Sequence, residues 1–250
     1  VTGWSAGDRV VVANSAPCGA CFLCHAGQPN LCENTEFLNG AYAESVVVPD
    51  RIVRKNMLRL QATTSFVDAA LTESLACVVL AVEQTDLRRG ESVLVIGTGP
   101  IGLMFVVLAR HVGCHVTALG RGEQRLATAR RLGAARTIDV AAHKGDVRNA
   151  AKAAELGAFD AVIEAVGKPE VWEAAAGLAR KGGRVNLFGG CPAGTRVSFD
   201  TGWLHYSSIR LLASFHHTPE TIRRALDYIE QGVVRAVDFV DGQCPLSELP

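Results

Sequence analysis

Four cysteines lie close together near the start of the 250-residue chain: Cys18, Cys21, Cys24 and Cys32, with the spacing C-x2-C-x2-C-x7-C. Four thiolates on one short loop can complete a tetrahedral shell around Zn²⁺ and leave no position open for a substrate. The spacing therefore predicts a structural zinc site. A bacterial ferredoxin-type iron–sulfur cluster would need a three-residue third gap and a following proline, and the chain has neither. A set of disulfides is the other alternative.

The composition argues against disulfides and against several classes of partner. The remaining cysteines stand singly in apolar surroundings, which is typical of small core residues in a reducing cytosol, so a cytoplasmic location is expected. Lys plus Arg and Asp plus Glu each number 25, and a chain without net charge has no field for nucleic acid or an anionic membrane. No apolar run reaches the length of a membrane span.

The second feature is a glycine-rich hexapeptide, GTGPIG at residues 97–102, between the apolar run Ser92–Ile96 and the apolar stretch Leu103–Val112. The flanking runs predict a buried parallel strand and a helix. In such a loop the first glycine permits a tight turn, the second lets the backbone approach a pyrophosphate, and the third allows close helix packing. A glycine-rich turn without a ligand is the alternative. The predicted cofactor contacts are Gly97, Gly99, Pro100, Ile101 and Gly102.

Alternation of strands and helices continues along the chain. Further strands are predicted at His115–Leu119, Arg136–Asp139, Phe159–Glu164, Arg184–Phe188 and Arg210–Phe215, with helices at Glu123–Leu132 and Val171–Arg180. Six strands with intervening helices predict an α/β fold, a doubly wound parallel Rossmann sheet with the cofactor at the carboxyl ends of its strands. Gly167 and Gly189 follow strand ends and are predicted to contact the cofactor, although ordinary loop glycines would give the same pattern.

The end of the second predicted strand indicates which nucleotide binds. An acidic residue that holds the adenosine ribose of NAD is expected there, but the chain has Gly120 followed by Arg121. Removing the carboxylate makes room for a 2′-phosphate, which a guanidinium can bind with two hydrogen bonds. The hypothesis is that NADP is preferred over NAD, with Arg121 and Arg125 near the phosphate. A solvated basic turn is the alternative.

Together these motifs resemble the zinc-dependent medium-chain dehydrogenases, the group of alcohol, polyol and threonine dehydrogenases. The resemblance rests on the cysteine run, GTGPIG, Gly7-Asp8-Arg9-Val10, and the stretch 40–44 (GAYAE) leading to 46–49 (VVVP), and it covers essentially the whole chain. It implies a partial GroES-like β domain with the zinc lobe and a linking helix at 1–88, a Rossmann domain at 89–232, and the start of a return to the first domain at 233–250. Zinc-free quinone and enoyl reductases share the nucleotide half but usually lack the cysteine lobe.

The resemblance implies hydride transfer between an alcohol or polyol and NAD(P), by a homodimer or homotetramer. A catalytic zinc, distinct from the structural one, would be held by a cysteine, a His-Glu pair and a second glutamate. Glu73 matches that second glutamate, although Ser74 stands where relatives usually have proline. The alternative is that Glu73 is an ordinary carboxylate that favours a helix dipole. The run Ile209–Leu212 is compatible with strand pairing across a two-fold axis.

The family's catalytic cysteine, proton-relay hydroxyl and Gly-His-Glu motif lie upstream of the segment that begins at Gly7. We therefore expect a fragment of a longer dehydrogenase, which keeps structural zinc and nucleotide binding but lacks the second zinc and turnover. The alternatives are a non-catalytic NADP-binding zinc protein and a zinc-independent quinone or enoyl reductase. His216 and His217 follow the sixth predicted strand and either line the substrate mouth or lead into a helix capped by Thr218.

Overall fold

The computed structural model describes residues 2–249; Val1 and Pro250, where the expected fragment begins and ends, lie outside the described residues. The strands are β1 Val10–Val12, β2 Ser15–Ala16, β3 Glu36–Phe37, β4 Met57–Arg59, β5 Ser92–Ile96, β6 His115–Gly120, β7 Arg136–Asp139, β8 Phe159–Glu164, β9 Ala179–Leu187 and β10 Arg210–Leu212. The helices are α1 Phe22–His25, α2 Asp50–Asn56, α3 Phe66–Ala69, α4 Thr72–Thr85, α5 Pro100–Val112, α6 Glu123–Arg131, α7 Val147–Ala153, α8 Pro169–Ala176, α9 Thr201–Tyr206 and α10 Pro219–Glu230. Among residues 2–249, none of the helices has both the length and the apolar content that a membrane span requires.

One compact unit, Ala81–Ser214, contains a six-stranded parallel sheet with the order β10-β9-β8-β5-β6-β7. The chain runs outward from β5 through β6 to β7 and then crosses to β8 on the other side of β5. This order is that of a doubly wound Rossmann sheet, whose ligand binds at the carboxyl ends of the strands where the direction reverses. The predicted α/β class is confirmed.

The central strand and the helix after it form the core of this unit. Val93, Leu94 and Val95 of β5 are fully buried because helices cover both faces of a parallel sheet. Helix α5 begins at Pro100, three residues before the predicted start, since a proline in the first turn needs no hydrogen-bond partner for its nitrogen. It ends at Val112, and the following Gly113 has a φ of 98°, the left-handed conformation common just after a helix.

Three predicted boundaries, the end of the helix at Val171–Arg180, the start of the strand at Arg184 and the end of the strand at Phe215, were wrong because strand pairing overrides the local pattern. The helix predicted over Val171–Arg180 ends at Ala176, and β9 begins at Ala179. Ala179 is paired with Phe159 of β8, so the segment assigned to the helix end belongs to the sheet. Strand β10 is shorter than predicted and ends at Leu212, the last of its residues to pair with β9.

The second compact unit comprises Val1–Leu80 and Phe215–Pro250. It contains two small antiparallel sheets, β1 with β4 and β2 with β3. Ile52 and Leu75 are fully buried in this unit, and Ile222 of α10 is nearly so. Thr218 caps α10: its hydroxyl accepts a hydrogen bond from the Thr221 amide, and the Thr221 hydroxyl accepts one from the Thr218 amide.

Candidate functional site

The four cysteines of the predicted zinc lobe converge. Their sulfur atoms all lie within 4.8 Å of one another, with 4.0 Å between the Sγ atoms of Cys18 and Cys24 and 3.9 Å between those of Cys21 and Cys32. Sulfur atoms bound tetrahedrally to zinc at the usual bond length are about 3.8 Å apart. The donor set and its spacing therefore fit structural zinc.

Backbone amides around the lobe favour the ionised thiolates that zinc requires. The amides of Ala20 and Cys21 both donate to the Cys18 Sγ at 3.3 Å, and the Cys18 amide donates to the Cys32 Sγ at 3.1 Å. The Ala20 amide is the main reason that the pKa of Cys18 is lowered. Burial and the neighbouring thiols raise the pKa of Cys24 to about 12. Ionisation of all four thiols thus needs a cation among them, which is consistent with a metal site.

The glycines of the predicted nucleotide loop differ in whether the fold itself requires glycine at their positions. Gly97 has a φ of +109°, and a Cβ there would lie 2.8 Å from the carbonyl oxygen of Ala165. A Cβ on Gly102 would overlap the carbonyl oxygen of Gly97, so helix α5 could not pack as it does. A Cβ on Gly99 would meet nothing within 4 Å. The fold itself therefore explains Gly97 and Gly102, whereas Gly99 leaves an open face of backbone beside the helix N-terminus.

A cavity of about 310 Å³ opens beside this loop, within the unit that contains the parallel sheet. It lies at the carboxyl ends of β5 and β6, and its charged lining consists of Arg121, Arg125, Lys168 and Glu170. Three cations and one anion favour a negatively charged ligand. The volume falls at the lower end of the range for small-molecule sites. Of the predicted cofactor contacts, Gly97, Gly99, Gly120, Arg121 and Arg125 line this cavity.

Close packing accounts for the glycine at the end of β6. A Cβ on Gly120 would overlap the side chain of Thr98 in the nucleotide loop. The position that could carry a ribose-binding carboxylate is thus occupied by the loop itself. Arg121 then directs its guanidinium toward Gly145, where a Cβ would overlap it.

Gly167 and Gly189 hold two loops together at the ends of β8 and β9. A Cβ on Gly189 would overlap the Gly167 nitrogen, and Gly167 itself has a φ of +77°. Neither residue lines the cavity. The fully buried Glu164 organises this region, because its Oε1 accepts hydrogen bonds from the amides of Val166 at 2.8 Å and Gly167 at 2.9 Å. Burial raises the pKa of Glu164 despite these bonds. A contact of either glycine with the cofactor stays a prediction.

Sequence reasoning missed Glu164. Its only local signal is an acidic residue that ends an otherwise apolar strand, and that signal also fits an exposed loop start. The hydrogen bonds that define its role involve the turn after the strand, which the apolar pattern does not describe.

Glu73 lies in the first turn of α4, as its alternative role as a helix-dipole carboxylate requires. Its surroundings go beyond that role. The Cys77 thiol, one turn further along, donates to Glu73 Oε1 at 3.8 Å, and burial raises the pKa of this thiol so that it stays protonated. His217 Nε2 lies 3.9 Å from the same oxygen.

His216 and His217 are fixed by contacts with the segment at β2. The Ser15 hydroxyl lies 2.7 Å from His216 Nε2 and 3.4 Å from His217 Nε2, and Asn14 Oδ1 lies 3.2 Å from the latter. His217 is 2% exposed, and burial together with the His216 ring lowers its pKa to about 3. Burial also lowers the pKa of His216, while Glu73 opposes that shift. From the sequence, His216 and His217 were expected either to line the substrate mouth or to lead into a helix. Their proximity to Glu73 was not predicted.

Two family models match the chain, an alcohol dehydrogenase GroES-like domain over residues 1–57 and a zinc-binding dehydrogenase over residues 100–231. D-altritol 5-dehydrogenase of Agrobacterium fabrum is 32% identical over 258 residues, which cover 100% of this chain and 73% of that protein. L-threonine 3-dehydrogenase of Shewanella woodyi is 34% identical over 197 residues, 76% of this chain and 55% of that protein. The chain therefore spans between about half and three quarters of these relatives.

Solved structures similar to this chain are dehydrogenases as well. A zinc-binding dehydrogenase from Sinorhizobium meliloti 1021 bound to NADP is 32% identical, with a TM-score of 0.85 over 94% of this chain and 69% of that one. An alcohol dehydrogenase from Thermus sp. ATN1 is 28% identical, with a TM-score of 0.84 over 96% of this chain and 71% of that one. These matches confirm the GroES-like part and the predicted class of NAD(P)-linked oxidoreductases of alcohols and polyols. The chain belongs to the zinc-dependent medium-chain dehydrogenase family.

Proposed function

We propose that the complete protein oxidises an alcohol or polyol with NADP as the hydride acceptor, and reduces the carbonyl compound in reverse. The observation that carries this proposal is the cationic cavity beside the open face of Gly99. A polyol substrate is favoured because D-altritol 5-dehydrogenase is 32% identical over the full length of this chain.

The nucleotide is bound by residues of the sheet-containing unit. The pyrophosphate lies against the Gly99 backbone at the N-terminus of α5, where free amides and the helix dipole favour an anion. Arg121 and Arg125 bind the 2′-phosphate of NADP, since a guanidinium pairs with phosphate oxygens through two parallel hydrogen bonds. With Gly120 at the end of β6 there is no carboxylate to repel that phosphate.

Zinc has two separate roles in this proposal. The four-cysteine lobe holds a structural ion that fixes the loop from Cys18 to Cys32. Glu73 contributes a carboxylate to a second, catalytic ion, which when bound lowers the pKa of an alcohol and so prepares it for hydride transfer. Cys77 keeps the Glu73 carboxylate oriented because its thiol donates a hydrogen bond to Oε1.

Turnover by the full-length protein tests the proposal. Formation of NADPH or NADH is measured with a panel of pentitols, hexitols, simple alcohols and L-threonine, each with NADP and with NAD respectively. Oxidation of at least one alcohol or polyol, faster with NADP, is expected. Tight NADP binding without oxidation of any of these compounds would instead identify a non-catalytic NADP-binding zinc protein.

The proposed protein is a cytoplasmic homodimer or homotetramer. Strand β10 pairs with β9 alone among the described strands, so its other edge is available to a second copy of the chain. Sedimentation velocity of the full-length protein tests the assembly. A monomer at micromolar concentration would contradict the proposed pairing.

A further inference from the structure

The side chain of Thr98, in the glycine-rich loop, lines the cavity beside that loop. It is 3% exposed, and its hydroxyl oxygen Oγ1 has no hydrogen-bond partner among the described residues. A buried polar atom without a partner is rare in folded proteins, because it has given up its hydrogen bonds to water. Packing alone therefore does not explain a hydroxyl here, since a valine has nearly the same shape and avoids that cost.

The backbone of the loop holds Thr98 beside the end of β6. The Gly97 amide donates to the Leu119 carbonyl oxygen at 2.7 Å, which continues the parallel pairing of β5 with β6 by one residue. Thr98 is the next residue and lies against Gly120, where a Cβ would overlap its Oγ1. The hydroxyl oxygen thus occupies the place at which a side chain at position 120 would begin.

That place determines which chemistry the hydroxyl can meet. In dinucleotide-binding sheets an acidic residue near the end of the second strand binds the 2′-hydroxyl of the adenosine ribose. Here the strand ends at Gly120, and the Thr98 hydroxyl lies in the space beside it. An ionised carboxylate can only accept hydrogen bonds, whereas a hydroxyl can also donate one to an anion. The replacement therefore removes a group that repels a 2′-phosphate and supplies one that binds it.

The other polar groups of the cavity agree with a phosphate at this end. Arg121 and Arg125 line the same cavity and are both exposed, whereas Thr98 is buried. A bidentate arginine binds two of the three terminal oxygens of a phosphate, which leaves an oxygen for a further donor. A buried, neutral donor beside two exposed cations completes the hydrogen bonding of such a group.

We infer that the Thr98 hydroxyl donates a hydrogen bond to the 2′-phosphate of NADP, so that Thr98 helps to select NADP over NAD. The inference deepens the proposed function and rests on it for the identity of the cofactor. It goes beyond the two arginines, because it assigns part of the selection to a buried and uncharged group within the glycine-rich loop itself.

Two pairs of proteins isolate the hydroxyl: the wild type with T98V, and T98S with T98A. The full-length proteins are titrated with NADP, with NAD, and with 2′,5′-ADP, which has the 2′-phosphate but no nicotinamide. In each pair, loss of the hydroxyl should weaken NADP and 2′,5′-ADP by about tenfold and NAD by less than about threefold. Unchanged affinity for 2′,5′-ADP, or equal losses for NADP and NAD, overturns the inference. The T98S and T98A comparison stands even if valine is too bulky for the space beside Gly120.

Urea unfolding without nucleotide distinguishes a ligand-binding hydroxyl from a structural one. The Thr98 hydroxyl has no partner within the described protein, so T98V should unfold at the same urea concentration as the wild type or at a higher one. Thr85 is the matched control: its buried hydroxyl donates to the Ala81 carbonyl oxygen at 2.6 Å, accepts from Asn186 Nδ2 at 2.8 Å, and lies outside the cavity. T85V should unfold at a lower urea concentration and keep its NADP affinity. A lower midpoint in T98V with equal weakening of NADP and NAD would identify a structural hydroxyl and overturn the inference.

Oxidation of alcohols and polyols by the wild-type protein is followed in parallel, so that the inference and the proposed function can fail separately. Oxidation with NADP, together with unchanged nucleotide selectivity in T98V and T98A, refutes the role of Thr98 and leaves the function standing. Binding of 2′,5′-ADP that depends on the hydroxyl, without oxidation of any compound, supports the role of Thr98 and refutes the function.

Discussion

The guanidinium group of Arg121 lies against the backbone of Gly145, in the space that a side chain at position 145 would fill. Arg121 follows β6, Gly145 lies between β7 and α7, and both line the cavity beside the nucleotide loop. Gly145 also has a φ of +82°, which disfavours any other residue. The contact therefore sets the direction of the cation that we propose for the 2′-phosphate.

Removing the cavity arginines should weaken the binding of NADP more than the binding of NAD. R121A and R125A are each expected to weaken NADP binding by about tenfold, or about 1.4 kcal/mol, because a charge-assisted pair with the phosphate is lost. NAD lacks that phosphate, so its affinity should change by less than about threefold. Isothermal titration of both nucleotides measures the difference. R196A, at an exposed position away from the cavity, is the control. Equal losses for NAD and NADP would refute the assignment.

The loop glycines provide a matched pair. G102A should lower the free energy of unfolding by about 3 kcal/mol, since the new Cβ overlaps the Gly97 carbonyl oxygen. G99A should change stability by less than about 1 kcal/mol, because its Cβ enters open space at an ordinary extended φ of −73°. G99A should nevertheless weaken dinucleotide binding by about tenfold if the pyrophosphate lies there. Urea unfolding and nucleotide titration give the two readouts, and undiminished nucleotide affinity in G99A would place the pyrophosphate elsewhere.

Loss of one lobe cysteine should release the structural zinc. C18S is expected to lose one zinc ion per chain and to make the segment from Cys18 to Cys32 sensitive to limited proteolysis, because the metal holds that loop. Elemental analysis and protease mapping measure the two effects. C191S is the control, since Cys191 stands apart from the four-cysteine cluster. Retention of all zinc by C18S would show that the lobe is held together by something other than the metal.

Acid should weaken the parallel sheet through Asp160. Its carboxylate accepts hydrogen bonds from the Ser92 amide at 2.8 Å and hydroxyl at 2.7 Å and pairs with Arg180 at 2.6 Å. Burial opposes the ionised form, but these bonds outweigh it and lower the pKa of Asp160 to about 2, from 3.8. The carboxylate therefore contributes about 2 kcal/mol of stability above pH ~4, which is lost as the pH falls toward 2.

The test compares D160N with the wild-type protein in urea at several pH values. D160N should be less stable at pH ~7, and the difference should shrink as the pH falls from about 4 to 2, where the wild-type carboxyl is protonated as well. D241N, at an exposed position, serves as the control. A difference that stays constant with pH would mean that the hydrogen bonds do not depend on ionisation.

Much of the fold and of the candidate site could be predicted because the signals are local. Strands β5, β7 and β8 have the bounds that the sequence predicts, and each ends at a polar residue or is followed by glycine. The four cysteines lie within one loop, so their spacing alone predicts that the sulfur atoms converge. The nucleotide loop is equally local, since the turn, the strand before it and the helix after it are contiguous in the chain.

Pairing between distant segments decided the rest. The start of β9 depends on the pairing of Ala179 with Phe159 of β8, and the residues of β9 alone do not predict that pairing. In the sequence, Glu164 is only the last residue of a strand. Its hydrogen bonds with the amides of the following turn are visible only in the folded structure. Glu73 and the pair His216–His217 are far apart in sequence, and each has a sufficient local explanation, in a helix dipole and in a helix lead-in. Only tertiary packing brings them within 4.8 Å, because ligand geometry is a property of side chains in space and the sequence by itself determines only their order.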